Sequence, residues 1–173
     1  MRFCKFVLLS LFLLPLTQSA GAQTEGLADF SDLPFLVSDY AGLEHLFQQK
    51  NDTTYIINFW ATWCAPCVKE LPYFEQLGQQ YKGQKVKVIL ISLDFKKQIR
   101  TRLVKFLDKK KIQSQVVVLS QPNANEWIGK VDPSWSGSIP ATLVYNRQKR
   151  EFYEQEFYDF AELESIVKSF IKK

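Results

Sequence analysis

Metal ligands are scarce in this chain, whose 173 residues hold three cysteines and one histidine. A structural zinc site takes four ligands, and once Cys4 is set aside only Cys64, Cys67 and His45 remain, so no metal is expected. Covalent haem attachment needs a histidine directly after the second cysteine of a pair, and Val68 stands there. No long hydrophobic run is present either. The longest, Phe6 to Leu14 with Ser10 inside it, ends at Pro15 and falls short of the roughly 20 residues that span a bilayer. A large excess of one charge is also missing, which removes the basic footprint expected of a nucleic-acid binder. Repeats and low-complexity tracts are absent.

What stands at the N-terminus reads as an address. Arg2 and Lys5 precede the apolar run, and Ala20, Gly21 and Ala22 follow as a small-residue cleavage site, so residues 1–22 are expected to be a signal segment and the mature chain to begin at Gln23. An uncleaved membrane anchor is the alternative. A lipoprotein would need a cysteine just after the cleavage site, whereas Cys4 lies before the apolar run. Removing Arg2 and Lys5 from the 22 basic residues leaves 20 against 18 acidic ones. Two cysteines then remain in an oxidising compartment, where they form a bridge, stay as reactive thiols or cycle between the two states.

With 46% hydrophobic and 14% aromatic residues, the chain can bury one substantial core. A polar lead-in occupies residues 23–34 and a single domain residues 35–173. Asp39 is placed to cap a helix over Tyr40 to Gln49. Thr54 to Trp60 and Val86 to Leu93 read as strands covered on both faces, with a helix between them from about Ala65 to Tyr81, kinked at Pro72. Ile99, Leu103, Phe106 and Leu107 place a helix over Ile99 to Lys111, and Val116 to Leu119 is a further strand. Asn125 to Val131 reads as a short helix, and Ala141 to Tyr145 and Glu151 to Phe157 as a hairpin. Asp159 and Glu162 open a final helix striped by Leu163, Ile166, Val167, Phe170 and Ile171. The expected class is α/β, a central mixed β-sheet flanked by helices.

The stretch from Asn58 to Cys67 runs from a strand through a turn into a helix. Backbone N–H groups at a helix N-terminus favour negative charge, so a thiolate at Cys64 is stabilised and its pKa falls below the free value of about 8.5. Cys67, one turn further on, lies within disulfide reach but is screened, which suits a resolving thiol. A purely structural bridge across two residues would constrain the unfolded chain little.

These residues carry a resemblance. Trp60, Ala61, Trp63, Cys64, Pro66, Cys67 and Pro72 match the active-site segment of the thioredoxin superfamily, and specifically of the exported TlpA/ResA-like thiol-disulfide oxidoreductases. Ser138 to Thr142 resembles the same family's cis-proline loop, which implies that Pro140 faces the cysteines and that Ile139 and Pro140, with Trp63 and Pro66, meet a substrate peptide. The long interval between Cys64 and Pro140 accommodates the strand-helix insertion of that branch, between Ile99 and Leu119. Glu70 stands where ResA-like proteins place an active-site glutamate, which implies a partly desolvated acid of raised pKa that moves a proton; a solvated helix glutamate is the bland reading. Thioredoxin's buried strand aspartate is replaced by Asn58, so that role does not carry over.

Other features divide between bland and functional readings. His45 is assigned no role. The run containing Lys96, Lys97, Arg100, Arg102, Lys105 and Lys109 to Lys111 is either a solvated basic face or a dock for an acidic partner. Trp127 and Trp135 either line a substrate groove or lid the core. The expected activity is extracytoplasmic reduction of protein disulfides by Cys64 and Cys67, without a cofactor, by a monomer recharged by a separate electron donor such as a membrane thiol carrier. Reduction is favoured because Ala65 and Pro66, not a cationic histidine, separate the cysteines. A redox-inert peptide-binding module and a disulfide oxidase are the alternatives. A thiol peroxidase fits less well, for want of its Pro-containing Thr-x-x-Cys pattern.

Overall fold

The computed structural model describes residues 29–171. The signal segment, Cys4 and the first half of the polar lead-in lie outside the described residues. Among those described, no helix is long and apolar enough to cross a membrane.

Six strands form one mixed sheet in the order β1-β4-β3-β2-β5-β6. They are β1 (Leu36–Ser38), β2 (Thr54–Trp60), β3 (Val86–Ser92), β4 (Gln115–Leu119), β5 (Ala141–Tyr145) and β6 (Arg150–Tyr153). β1, β4, β3 and β2 run parallel, while β5 is antiparallel to β2 and β6 to β5. Every residue of β2 is buried, as a central strand covered on both faces requires. Its alternation divides the core. Ile56 and Trp60 point to one face, where α2 (Ala65–Gln80), α3 (Val104–Lys110) and α5 (Phe160–Ile171) pack, and Tyr55, Ile57 and Phe59 point to the other, beside α1 (Tyr40–Leu43) and α4 (Ile128–Val131).

β1 was not anticipated, because three residues at a sheet edge carry too little periodicity to register. The first helix is shorter than its apolar pattern implies. Asp39 caps it through a hydrogen bond from the Gly42 N–H, but after Leu43 the chain tightens into a 3-10 turn over Glu44–Phe47. Gly42 weakens helix propagation there, and the tighter turn still buries Leu43, Leu46 and Phe47 together. The helix expected over Ile99 to Lys111 opens with a π-turn, Ile99–Leu103, before α3. The segment at Asn125 to Val131 is a 3-10 turn, Ala124–Glu126, followed by α4. β6 stops at Tyr153, short of the expected Phe157, whose backbone N–H donates instead to Glu70. Trp127 and Trp135 prove to be core: both are buried, and Trp135 packs 4.6 Å from Phe59 between ring centroids.

α2 is held to the sheet by Cys67, Leu71, Phe74 and Leu77, all buried at helical spacing. Pro72 lies on its exposed face. Phe74 meets the edge of Phe157, so one ring ties α2 to the segment that leads into α5. Phe74→Ala is expected to lower unfolding stability by about 3–5 kcal/mol, the usual loss for a fully buried phenylalanine. Denaturant unfolding of the oxidised protein measures it, and a loss below about 1 kcal/mol would mean the ring is not packed as described.

Candidate active site

β2 ends at Trp60, and the next three residues turn the chain into α2. Cys64 occupies the N-cap of that helix in extended conformation (φ −90°, ψ 101°), with Ala65 and Pro66 in the first turn, where proline's missing N–H leaves no bond unmade. The Cys64 sulfur accepts the Cys67 N–H at 3.3 Å, as a cap oxygen would. Cys64 and Cys67 are joined by a disulfide with Cα atoms 5.3 Å apart. Cys64 keeps 6% of its surface exposed and Cys67 none, so an attacking group can meet only the first sulfur.

The antiparallel pairing of β2 with β5 brings the second segment in. Phe59 lies opposite Ala141, so Pro140 stands beside the end of β2. The Ile139–Pro140 peptide is cis, and the Ile139 carbonyl oxygen is 3.7 Å from the Cys64 sulfur. Trp135 donates through its indole N–H to the Ser138 carbonyl, and Glu154 accepts from the Ser136 and Ser138 N–H groups. The loop is therefore fixed from both sides. Trp63 is 44% exposed, Pro66 is exposed and Ile139 half-buried, which leaves an accessible apolar rim around Cys64.

Glu70 lies three residues beyond Cys67 on α2, on the same helix face, and is fully buried. Its Oε1 accepts from Asn58 Nδ2 at 2.9 Å and its Oε2 from the Phe157 N–H at 2.8 Å. Burial pushes its pKa up to about 7 even though both hydrogen bonds favour the ionised form, with the charges of Glu156 and Glu162 adding to the rise. Asn58 also donates to Thr142 Oγ1 at 3.1 Å, so both amide hydrogens are used, while its Oδ1 is buried without a partner among the described residues. An aspartate at position 58 would bring a second acid against Glu70. Here the buried acid stands on the helix and the strand supplies its donor.

Asp94, which sequence reasoning passed over, and Arg102, read there only as part of a basic run, hold the turn. Asp94 is buried and accepts from the Thr62 N–H at 3.0 Å, from the Thr62 hydroxyl and from Ser92 Oγ at 2.8 Å. Arg102 Nη2 donates to the Thr62 carbonyl at 3.0 Å. Thr62, two residues before Cys64, is thus held through its N–H, hydroxyl and carbonyl. The uncharged Ala65–Pro66 pair does not tell the whole electrostatic story, because the π-turn brings the Arg102 guanidinium, and the chain just after β3 the Asp94 carboxylate, to the same Thr62. His45 is exposed, and α1 and its 3-10 extension lie across the sheet from α2.

The sheet order, the cis-proline beside a helix-capping Cys-x-x-Cys pair and the strand-helix insertion define a thioredoxin-like protein. The sequence profile of the AhpC/TSA family matches residues 34–150, and the chain belongs to that family. It is similar to the thiol-disulfide oxidoreductase ResA of Geobacillus thermodenitrificans, at 28% identity over 113 residues, or 65% of this chain and 60% of that protein. The chain therefore spans less than two thirds of the length of that relative. Among solved structures, a thioredoxin-related protein from Neisseria meningitidis serogroup B superposes with a TM-score of 0.60 at 24% identity, over 73% of this chain and 89% of that one. A secreted thiol-disulfide isomerase from Corynebacterium glutamicum gives 0.59 at 16% identity, over 71% and 73%. These two establish the fold.

Glu70 makes stability depend on pH in a definite direction. An acid whose pKa rises from 4.5 unfolded to about 7 folded keeps its proton longer in the native state, so native stability falls as pH rises between those values. The difference corresponds to on the order of 3 kcal/mol, fully developed above about pH 7. Glu70→Gln is expected to remove that slope. Unfolding of both proteins at pH 5 and pH 8 checks it through the change with pH, since any constant offset cancels; parallel profiles would show that Glu70 titrates as an ordinary surface acid.

Proposed function

We propose that the protein is an extracytoplasmic thiol-disulfide oxidoreductase that reduces protein disulfides, with Cys64 as nucleophile, Cys67 as resolving thiol and Glu70 as the group that exchanges the proton. Trp63, Pro66 and Ile139 form the surface on which the substrate lies, with Pro140 buried behind Ile139 and meeting the substrate through the loop it shapes. One observation carries the reading: the single disulfide among the described residues caps the N-terminus of α2, with one sulfur at the solvent edge and the carbonyl of Ile139, the residue before the cis-proline, facing it. The ResA relative, a thiol-disulfide oxidoreductase, supports the chemistry, and the isomerase described as secreted supports the compartment.

In the reduced pair, the Cys67 N–H and the dipole of α2 stabilise a thiolate on Cys64. That thiolate attacks one sulfur of the substrate disulfide, and the other substrate sulfur leaves as a thiolate and takes up a proton. Cys67 then gives its proton to the Glu70 carboxylate and attacks the Cys64 sulfur, so the second substrate sulfur leaves and the Cys64–Cys67 bridge forms. Two electrons have passed to the substrate. A separate dithiol donor returns them to this pair, and with a pKa of about 7 Glu70 can take and release the proton near neutral pH. The Ile139 carbonyl lies where it can accept from the backbone of an extended substrate. Asp94 offsets the pull of Arg102 on the loop, and Ala65–Pro66 adds no charge, so the pair should favour reducing its partners.

The reduction potential is expected near thioredoxin's about −270 mV and far from the about −120 mV of DsbA. Equilibration with dithiothreitol or glutathione measures it, and a value above about −160 mV would transfer the protein to the oxidase reading. Cys67→Ser should trap substrates, because Cys64 still attacks and nothing resolves the mixed disulfide. Adducts that collapse on reduction and vanish in Cys64→Ser are expected in envelope extracts. If none form, and the wild type reduces no model disulfide, a redox-inert binding module is the better description.

A further inference from the structure

Exposed aromatic surface is concentrated beside Cys64. Four large hydrophobic side chains are strongly exposed among the described residues: Leu36, Trp63, Phe95 and Tyr158. Trp63 and Phe95, 44% and 58% exposed, stack with ring centroids 5.9 Å apart and planes 18° from parallel. The pairing follows from sheet register. Trp60 lies opposite Ser92, the Leu93 N–H donates to the Trp60 carbonyl, and Thr62 is bound by Asp94, so the next residues of the two chains, Trp63 and Phe95, meet above the sheet end. Two stacked aromatics left in water next to a disulfide mark a contact surface more than a solvated loop.

Charge gives that surface a direction. From Phe95 to Leu107 the chain holds Lys96, Lys97, Arg100, Arg102 and Lys105 and not one acid. Arg100 is matched by Asp32, and Arg102 is turned onto the Thr62 carbonyl. Lys96 and Lys97 form the 3-10 turn directly after Phe95, are exposed, and have no ion-pair partner among the described residues. Glu154, exposed directly after β6, is already engaged by the Ser136 and Ser138 N–H groups of the cis-proline loop. Lys105 is likewise exposed and without an ion-pair partner among the described residues, but Lys96 and Lys97 are the two that adjoin the aromatic pair, in a single short turn.

We infer that Trp63, Phe95, Lys96 and Lys97 form a docking platform for a partner-protein segment that carries an apolar side chain and acidic residues next to its disulfide. The inference rests on the disulfide-exchange reading and names its substrate class. The apolar side chain covers the Trp63–Phe95 rings, the acids face Lys96 and Lys97, and the partner sulfur is brought to the exposed edge of Cys64. Electrostatic attraction of this kind acts mainly on the encounter rate and weakens with salt.

The test uses the reduced full-length protein and peptides of equal length, each with one disulfide and a phenylalanine beside it, flanked by aspartates, asparagines or lysines. The uncharged small molecule 2-hydroxyethyl disulfide is run alongside. The acidic peptide is expected to be reduced about tenfold faster than the neutral one at low salt, and the lysine peptide more slowly than both. The acidic-to-neutral rate ratio should fall toward one in 0.5 M salt and in the double variant Lys96→Glu/Lys97→Glu. Equal rates for the acidic and neutral peptides in the wild type, or a ratio that survives the double variant, would overturn the platform while leaving disulfide exchange in place. Failure to reduce even 2-hydroxyethyl disulfide would overturn the exchange reading itself, and the platform with it.

Discussion

The register of β2 against its two neighbours is the constraint on which the site depends. Parallel pairing with β3 sets Trp60 against Ser92, and from that match follow the Asp94 bonds to Thr62 and the stacking of Trp63 on Phe95. Antiparallel pairing with β5 sets Phe59 against Ala141 and brings Pro140 beside the cysteines. Because side chains alternate along a strand, a slip of one residue would turn Asn58 away from Glu70 and put Trp60 on the wrong face. Burial of β2 on both faces makes such a slip expensive, so the same apolar packing that stabilises the fold also positions the chemistry.

Against that packing the molecule keeps polar groups that do not favour stability. Glu70 is fully buried and ionises only near neutral pH, and Asn58 satisfies its donors while leaving its carbonyl unpaired. Apolar residues of similar volume would pack there with less penalty. Their retention next to a buried thiol makes sense in the proposed exchange, where Cys67 must lose a proton in a place water does not reach. Physical cause runs here from packing to pKa, and the proposed proton transfer would follow from that.

Much of the fold was legible because central strands and long amphipathic helices announce themselves. Thr54 to Trp60 and Ala141 to Tyr145 were placed to the residue, and α2 to within one, since continuous apolar runs and a proline in the first turn leave little freedom. Short or strained pieces were not legible. β1 has three residues and exists because β4 offers an edge; the π-turn at Ile99–Leu103 is invisible to a period-3.6 reading; and β6 ends early because its partner β5 begins only at Ala141, after a proline that has no N–H to extend the ladder. Trp127 and Trp135 read equally well as groove or lid until their packing on Phe59 showed them to be core.

The sequence by itself determined the closely spaced cysteine pair and its place at a helix start, because those depend on residues adjacent in the chain. Only the tertiary structure decided what surrounds that pair. Pro140, Asp94, Arg102 and Phe95 reach the loop from other parts of the chain, through strand register and an inserted turn. The burial that raises the Glu70 pKa likewise comes from packing, not from its neighbours in sequence. The physical reason is that spacing along the chain controls which groups can share a helix turn, whereas desolvation and the approach of distant charges exist only once the sheet has closed around them.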